Sequence, residues 1–204
     1  MSIETVKPPS APSHTSPQTS APAGPLIRAA SEADMPAVQA IYAHHVLHGR
    51  ATFEEIAPSV AEMLARRAEI VSRGLPYLVA ECEGAVVGYA YATLYRPRRA
   101  YRFTVEDSVY IAADSHGRGI GYALLSAVIM LCEAGPWRQM ASVVASPADG
   151  VGAASLALHE KLGFQRVGTL QAAGFKFGEW IDTVLMQRAL GEGSRTLPGD
   201  MPAR

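Results

Sequence analysis

Cysteine is scarce in this chain. Its 204 residues include two, Cys82 and Cys132. They fall in different predicted elements and form no Cys-x-x-Cys, so neither a disulfide framework nor a zinc site has a spacing to rest on. Both are expected as reduced thiols in a cytoplasmic protein without a metal. An excess of charge is also missing. Lys and Arg total 18 against 19 Asp and Glu, a net charge of −1. That balance excludes a protein held to nucleic acid by bulk positive charge. No run approaches the roughly 20 apolar residues that span a bilayer. The longest, Tyr122–Cys132, is interrupted by Ser126. The first residues show no cationic start followed by an apolar segment, which argues against a secretory signal.

Large apolar side chains are nearly absent from Met1–Pro25, a run of Pro, Ser, Ala and Thr. Such a segment cannot offset its ordering entropy by burial and is expected to be a disordered arm. Residues 191–204 are expected to form a flexible tail. Between them, residues 26–190 suit one domain, and no internal repeat is visible.

Strand and helix patterns alternate along that domain. Leu26–Ala29 reads as a short strand. Asp34 is placed to cap a helix that carries Pro36 in its first turn and ends at Gly49. Ser59 with Glu62 forms a capping-box pattern for a second helix, with Val60, Met63, Leu64 and Val71 expected inward. Tyr77–Cys82 and Val86–Leu94 read as strands joined through Glu83 and Gly84. Phe103–Ala112 reads as a third long strand and Ile120–Glu133 as a helix. Met140–Ala145 is a strand, Ala153–Leu162 a helix, and Phe164–Leu170 and Trp180–Gln187 are closing strands. The sum is an α/β domain with a mixed sheet.

The most informative segment is Tyr110–Leu125, where a strand ends, Gly117, Gly119 and Gly121 gather, and an apolar helix begins. Glycines permit a tight turn with bare N–H groups, and the positive helix end makes such a turn a site for phosphate oxygens. Arg118 can add a charge-assisted bond. A Walker A loop is excluded because Gly-Lys-Ser/Thr is absent. The dinucleotide fingerprint fails because Tyr122 stands where its third glycine belongs. The plainer alternative is a turn that only lets the helix pack closely.

The run His116-Gly-Arg-Gly-Ile-Gly121 resembles the Gln/Arg-x-x-Gly-x-Gly/Ala motif of GNAT-type N-acetyltransferases, with His116 in place of the usual Gln or Arg. Four further segments resemble the phosphinothricin / methionine sulfoximine N-acetyltransferase branch. They are Thr52–Glu55, Tyr101–Tyr110, Leu158–Phe164 and Gly174–Trp180, and the similarity covers about residues 27–188. The resemblance implies a GNAT fold with a mixed, mostly antiparallel central sheet flanked by helices. It implies acetyl-CoA as co-substrate, held by the backbone of Val109, Tyr110 and Ile111 and by the turn of His116, Gly117, Arg118, Gly119, Ile120, Gly121 and Tyr122. It also implies a homodimer.

Acetyl transfer to an amine needs a base, donors for the thioester oxygen and a leaving thiolate. Glu106 is the candidate base. In a regular strand it shares a face with Thr104, Ser108 and Tyr110, opposite Phe103, Val105, Val109 and Ile111. Partial burial there would raise its pKa toward a useful value. The alternative is a carboxylate paired with Arg102 or another arginine. The resemblance places the family's glutamate at Glu106, and Asp107 is the substitute if a bulge upsets the alternation. His159 stands where many GNAT enzymes have a tyrosine near the CoA sulfur, and it is expected either to serve the leaving thiolate or to be a packed histidine. Arg96, Arg98, Arg99 and Arg102 cluster before the candidate strand, and guanidinium forks suit carboxylate and phosphinate. Substrate contacts are expected at Arg96, Arg98, Glu106, Asp107 and Ser108. Phe53, Phe175, Phe177 and Trp180 are candidates for a pocket wall or a dimer contact. His44 and His45 read as helix-surface residues.

One departure stands out. The family carries an Asn that contacts the cofactor before its last helix, and here Gly152 is nearest that place, with Ser155 or Asp149 as substitutes. The expected activity is acetylation of the amine of a small amino-acid analogue. The alternatives are another amine or a protein N-terminus as acceptor, or a non-catalytic acyl-CoA-binding module.

Overall fold

The computed structural model describes residues 24–147, 150 and 152–199. The expected N-terminal arm falls almost wholly outside the described residues, as do Asp149 and the last residues of the expected tail.

Eleven principal elements follow one another along the chain. They are β1 (Leu26–Ala29), α1 (Met35–His48), α2 (Val60–Ser72), β2 (Tyr77–Cys82), β3 (Ala85–Leu94), β4 (Thr104–Ile111), α3 (Ile120–Glu133), β5 (Gln139–Ser146), α4 (Ala153–Lys161), β6 (Gln165–Lys176) and β7 (Glu179–Ala189). The strands form one sheet in the order β1-β2-β3-β4-β5-β7-β6. Every neighbouring pair is antiparallel except β4 and β5. This is the mixed, mostly antiparallel α/β sheet expected from the sequence.

The two faces of β4 show which helices cover which side. Tyr110 meets α1, with ring centroids 5.0 Å from Tyr42 and 5.4 Å from His45. Ile111 points the other way, toward Gly121 of α3. The sheet is thus sandwiched, and Val38, Val79, Val105, Leu124, Val128 and Met140 are fully buried between the layers.

The β4–β5 pairing is short. Only Thr104–Glu106 pair with Gln139–Ala141, although both strands continue. From Asp107 to Ile111, β4 is laddered to β3 alone. A backbone edge therefore opens in the middle of the sheet, where a sheet normally completes its hydrogen bonds.

The capping box at α2 forms: the Ser59 hydroxyl accepts from the Glu62 N–H at 3.2 Å, and the Glu62 carboxylate accepts from the Ser59 N–H at 2.6 Å. At α1 the expectation is corrected. Asp34 does not cap that helix, because its carboxylate turns back to the Ser31 N–H at 2.7 Å and to both terminal nitrogens of Arg28 at 2.8 Å. Val71 is also corrected. It is exposed and Ile70 is buried in its stead, since Ile70 lies seven residues, two turns, after Met63. β6 runs to Lys176, well past the expected end at Leu170, with two register shifts against β7. After β7 the chain folds back, and Arg138 donates to the carbonyls of Gly193 and Thr196 at 3.0 Å each.

Candidate active site

Glu106 sits where β4 leaves β5. The β3–β4 register runs unbroken from Leu94–Val105 to Gly88–Ile111, so no bulge disturbs the alternation. Glu106, Ser108 and Tyr110 share the α1 side, and Asp107 takes the opposite one. Glu106 is half-buried. Its pKa is raised, first by burial and then by the negative charge of Asp107, against the opposing pull of Arg96. Arg102, the partner considered from sequence, instead lies 4.3 Å over the ring of Phe103.

Asp107 and His159 form a buried pair, 5% and 1% exposed. His159 Nε2 lies 3.0 Å from Asp107 Oδ2 and 2.8 Å from Ser142 Oγ. On the other side of the ring, Nδ1 donates to the Ser155 carbonyl at 2.7 Å. A carbonyl only accepts, so Nδ1 carries a proton, and the carboxylate calls for a second one on Nε2. Burial alone would push the imidazole down. The Asp107 hydrogen bond and charge outweigh it, and the pKa is raised. The pair joins three elements: β4 through Asp107, β5 through Ser142 and α4 through His159. Asp107 Oδ1 is buried without a partner among the described residues.

The glycine turn has the backbone the sequence calls for. Gly117 and Gly119 have φ of 75° and 76°, a region L side chains rarely enter. A Cβ at either would meet nothing within 4 Å, so the cradle is open. Gly121 serves packing instead, since its Cβ would lie 3.3 Å from Leu158. The first backbone bond of α3 runs from the Ala123 N–H to the Gly119 carbonyl at 3.1 Å. The N–H groups before Ala123 lack helical acceptors and face the positive helix end. His116, Arg118 and Tyr122 are exposed beside them. This donor set fits a pyrophosphate, and the edge of Val109, Tyr110 and Ile111 that β5 leaves uncovered fits an amide-bearing arm laid alongside it.

Gly152 begins α4 at φ 100°, and a Cβ there would fall 2.2 Å from the Ala145 carbonyl oxygen. The fold requires glycine at this position. Ser155, a substitute considered for the family's Asn, binds His159 through its carbonyl.

Arg96 and Arg98 are exposed on the loop from β3 to β4. Arg96 stacks 4.8 Å over Tyr95 and is the cation that acts on Glu106. Phe53 lies against Gly174, Phe175 pairs with Trp180 at 5.1 Å, and Phe177 is exposed with them.

Three further residues take places that the sequence reading does not give them. His45 is no surface residue: its Nε2 lies 2.9 Å from the Ile111 carbonyl at the end of β4, and burial lowers its pKa. The signal was its place three residues after inward-facing Tyr42. Lys176 is 1% exposed and donates to the Thr52 carbonyl at 2.8 Å. It ties the loop before α2 to the β6–β7 hairpin. Lys161 of α4 stands 4.8 Å over the ring of Tyr122, adding a cation beside the glycine turn. Neither lysine had a sequence signal, because each contact joins distant parts of the chain.

Fold, opened strand edge and glycine cradle together define an acyltransferase class. Residues 27–185 match the acetyltransferase (GNAT) domain family, and the chain belongs to it. Among its relatives, a phosphinothricin N-acetyltransferase of Alcaligenes faecalis is 56% identical over 172 residues, covering 84% of this chain and 86% of that protein. An L-methionine sulfoximine/L-methionine sulfone acetyltransferase of Pseudomonas paraeruginosa is 37% identical, covering 84% and 98%. The crystal structure of a GNAT superfamily phosphinothricin acetyltransferase from Sinorhizobium meliloti in complex with AcCoA aligns with a TM-score of 0.83. It is 47% identical and covers 87% of this chain and 95% of that one.

Proposed function

We propose that this protein transfers the acetyl group of acetyl-CoA to the amine of a small amino-acid analogue of the phosphinothricin and methionine sulfoximine type. The observation that carries the reading is Glu106: a half-buried carboxylate of raised pKa, at the point where β4 parts from β5 and heads into the glycine turn. The activities named for the Alcaligenes and Pseudomonas relatives support the acceptor class.

Acetyl-CoA supplies an activated acyl group on a thiolate that can leave. The protein's own groups do the rest. The turn from His116 to Tyr122 takes the pyrophosphate on its backbone N–H groups. Val109–Ile111 lay their free edge along the pantetheine, and an N–H of that edge polarises the thioester oxygen. Glu106 accepts the proton of the acceptor ammonium, directly or through water, and its raised pKa brings it closer to that task. Arg96 and Arg98 receive the acceptor's anionic groups, and the Ser108 hydroxyl stands on the same face as Glu106. Asp107 points away from that face. Its carboxylate holds a negative charge behind the strand, which keeps the proton affinity of Glu106 high. His159 enters as the positioning residue that keeps Asp107 in place.

The same reading includes a homodimer in the cytoplasm. β6 is exposed along nearly its whole length, and Val167, Leu170, Phe175 and Trp180 are 57%, 53%, 55% and 67% exposed on this hairpin. An apolar edge of that length is normally covered. Both cysteines are free, and no helix among the described residues is long and apolar enough to cross a membrane.

The test is release of CoA thiol with phosphinothricin, methionine sulfoximine and methionine sulfone as separate acceptors. Turnover with these analogues is expected. Silence with all three, while acetyl-CoA still binds, would overturn the acceptor assignment.

A further inference from the structure

The two parts of the cofactor site, strand edge and glycine cradle, meet at one peptide group. In an antiparallel pair, the residues that exchange backbone bonds alternate along each strand. The Tyr95 N–H donates to the Thr104 carbonyl at 3.1 Å, and the Ala112 N–H donates to the Val87 carbonyl at 2.9 Å. Thr104, Glu106, Ser108 and Tyr110 therefore bond toward β3. Asp107, Val109 and Ile111 turn their N–H and C=O groups the other way, toward the side that β5 has left. Ile111 is the last of these. Beyond it the chain leaves the strand, makes the short turn Ala113–Ser115 and enters the cradle at His116 and Gly117.

His45 of α1 takes the Ile111 carbonyl. Its Nε2 lies 2.9 Å from that oxygen. A carbonyl only accepts, so Nε2 carries the proton. Burial lowers the pKa of this ring, and the charges of His44, His116 and Lys176 act the same way, against the opposing pull of the Ile111 bond. The imidazole is thus a neutral donor, and charge does not explain its place beside a phosphate cradle. Its ring is braced by Tyr110, with centroids 5.4 Å apart, and stands 6.4 Å from the ring of His116.

The peptide group between Ile111 and Ala112 is consequently held at both ends, its C=O by His45 and its N–H by Val87. A planar group fixed at both ends has a fixed plane. That plane is the joint between the strand edge and the cradle. Two contacts joined in one ligand reinforce each other only when the geometry lets both form.

We propose that His45 is a positioning residue for acetyl-CoA: it locks the angle at which the β4 edge runs into the glycine turn, so that one cofactor spans both parts of the site. With the Ile111 carbonyl taken, the edge offers a pantetheine arm the N–H groups of Val109 and Ile111 and the carbonyls of Asp107 and Val109. His45 acts through the Ile111 peptide, and no step of the transfer passes through it. The inference rests on the placement of acetyl-CoA assigned above.

The experiment compares the whole cofactor with its parts. Calorimetry gives the affinity of acetyl-CoA, and displacement of acetyl-CoA gives those of S-acetylpantetheine and ADP. The full chain is measured unaltered and as His45→Ala, His45→Asn and His45→Gln. An asparagine side chain stops short of the Nε2 position, whereas a glutamine carries an N–H donor to about that reach. His45→Ala and His45→Asn should bind acetyl-CoA about tenfold more weakly, the scale of one lost hydrogen bond. Their affinity for each part should stay within about twofold, because each part uses one side of the joint. His45→Gln should restore most of the loss. A loss shared equally by the parts would mark damage to the fold and overturn the role of His45, as would a His45→Gln chain that behaves like His45→Ala. Should neither part compete with acetyl-CoA on the unaltered chain, the placement of the cofactor falls and the role of His45 with it. Competition by both parts, with undiminished acetyl-CoA binding in the variants, defeats His45 alone.

Discussion

Glu106 and Asp107 are neighbours in sequence that face opposite sides of one strand, and each side gives its carboxylate a different task. Glu106 is half-buried, and burial, then the charge of Asp107, raises its pKa against the pull of Arg96. Glu106→Gln should lower kcat by about 10²- to 10⁴-fold with acetyl-CoA affinity retained, as steady-state kinetics and calorimetry would read. In the intact chain, activity should fall as pH drops through the raised pKa of Glu106, so the acid limb of the rate profile lies above the ordinary glutamate range. Asp107 meets an imidazolium. His159 has a raised folded pKa, so the stability it contributes is full below its unfolded pKa, about 6.5, and is lost as pH rises through the folded value. Asp107→Asn breaks a buried pair and should cost about 3–5 kcal/mol. It should also flatten that pH slope, which denaturant midpoints measured between pH 6 and 9 would show. A decline of the same steepness in the variant would remove the pair from the account.

At the scale of elements, what the sequence disclosed depended on whether the signal was local. The capping box of α2, the left-handed glycines before α3 and the alternation along β4 are written in adjacent residues, and the structure has all three. Asp34 and Lys176 were not legible, because their partners Arg28 and the Thr52 carbonyl come from pairings that only the folded chain creates. β6 was read too short because its register shifts against β7 break the two-residue period. Gly152 and Gly119 offer a direct test of local against tertiary constraint. Both have positive φ, but a Cβ at Gly119 meets open space while one at Gly152 runs into the Ala145 carbonyl. Gly119→Ala should therefore cost about 1–2 kcal/mol, the conformational penalty alone. Gly152→Ala should cost clearly more and displace α4, measured as a larger drop in unfolding midpoint together with weaker acetyl-CoA binding.

For the whole molecule, the exposed β6–β7 edge is the feature that calls for a cover. The homodimer proposed above predicts that Phe175→Glu with Trp180→Glu yields a monomer by sedimentation, while the unaltered chain sediments as a dimer. Both sites are exposed, so fold stability should change little. A monomeric unaltered chain would reject the assembly. Lys176 links this edge to the loop at Thr52, so loss of the partner should be felt near the acceptor side as well.

The parting of β4 from β5 also bears on the order of events. From Asp107 to Ile111 the sheet is one strand short, and a pantetheine arm along that edge would act as the missing strand. Amide exchange in this stretch should therefore slow on binding acetyl-CoA more than on binding any acceptor. A protein whose central seam is finished by one reactant has reason to admit that reactant first. Initial-rate patterns should then show acetyl-CoA as the leading ligand, with the acceptor entering a site that the first arrival has made rigid.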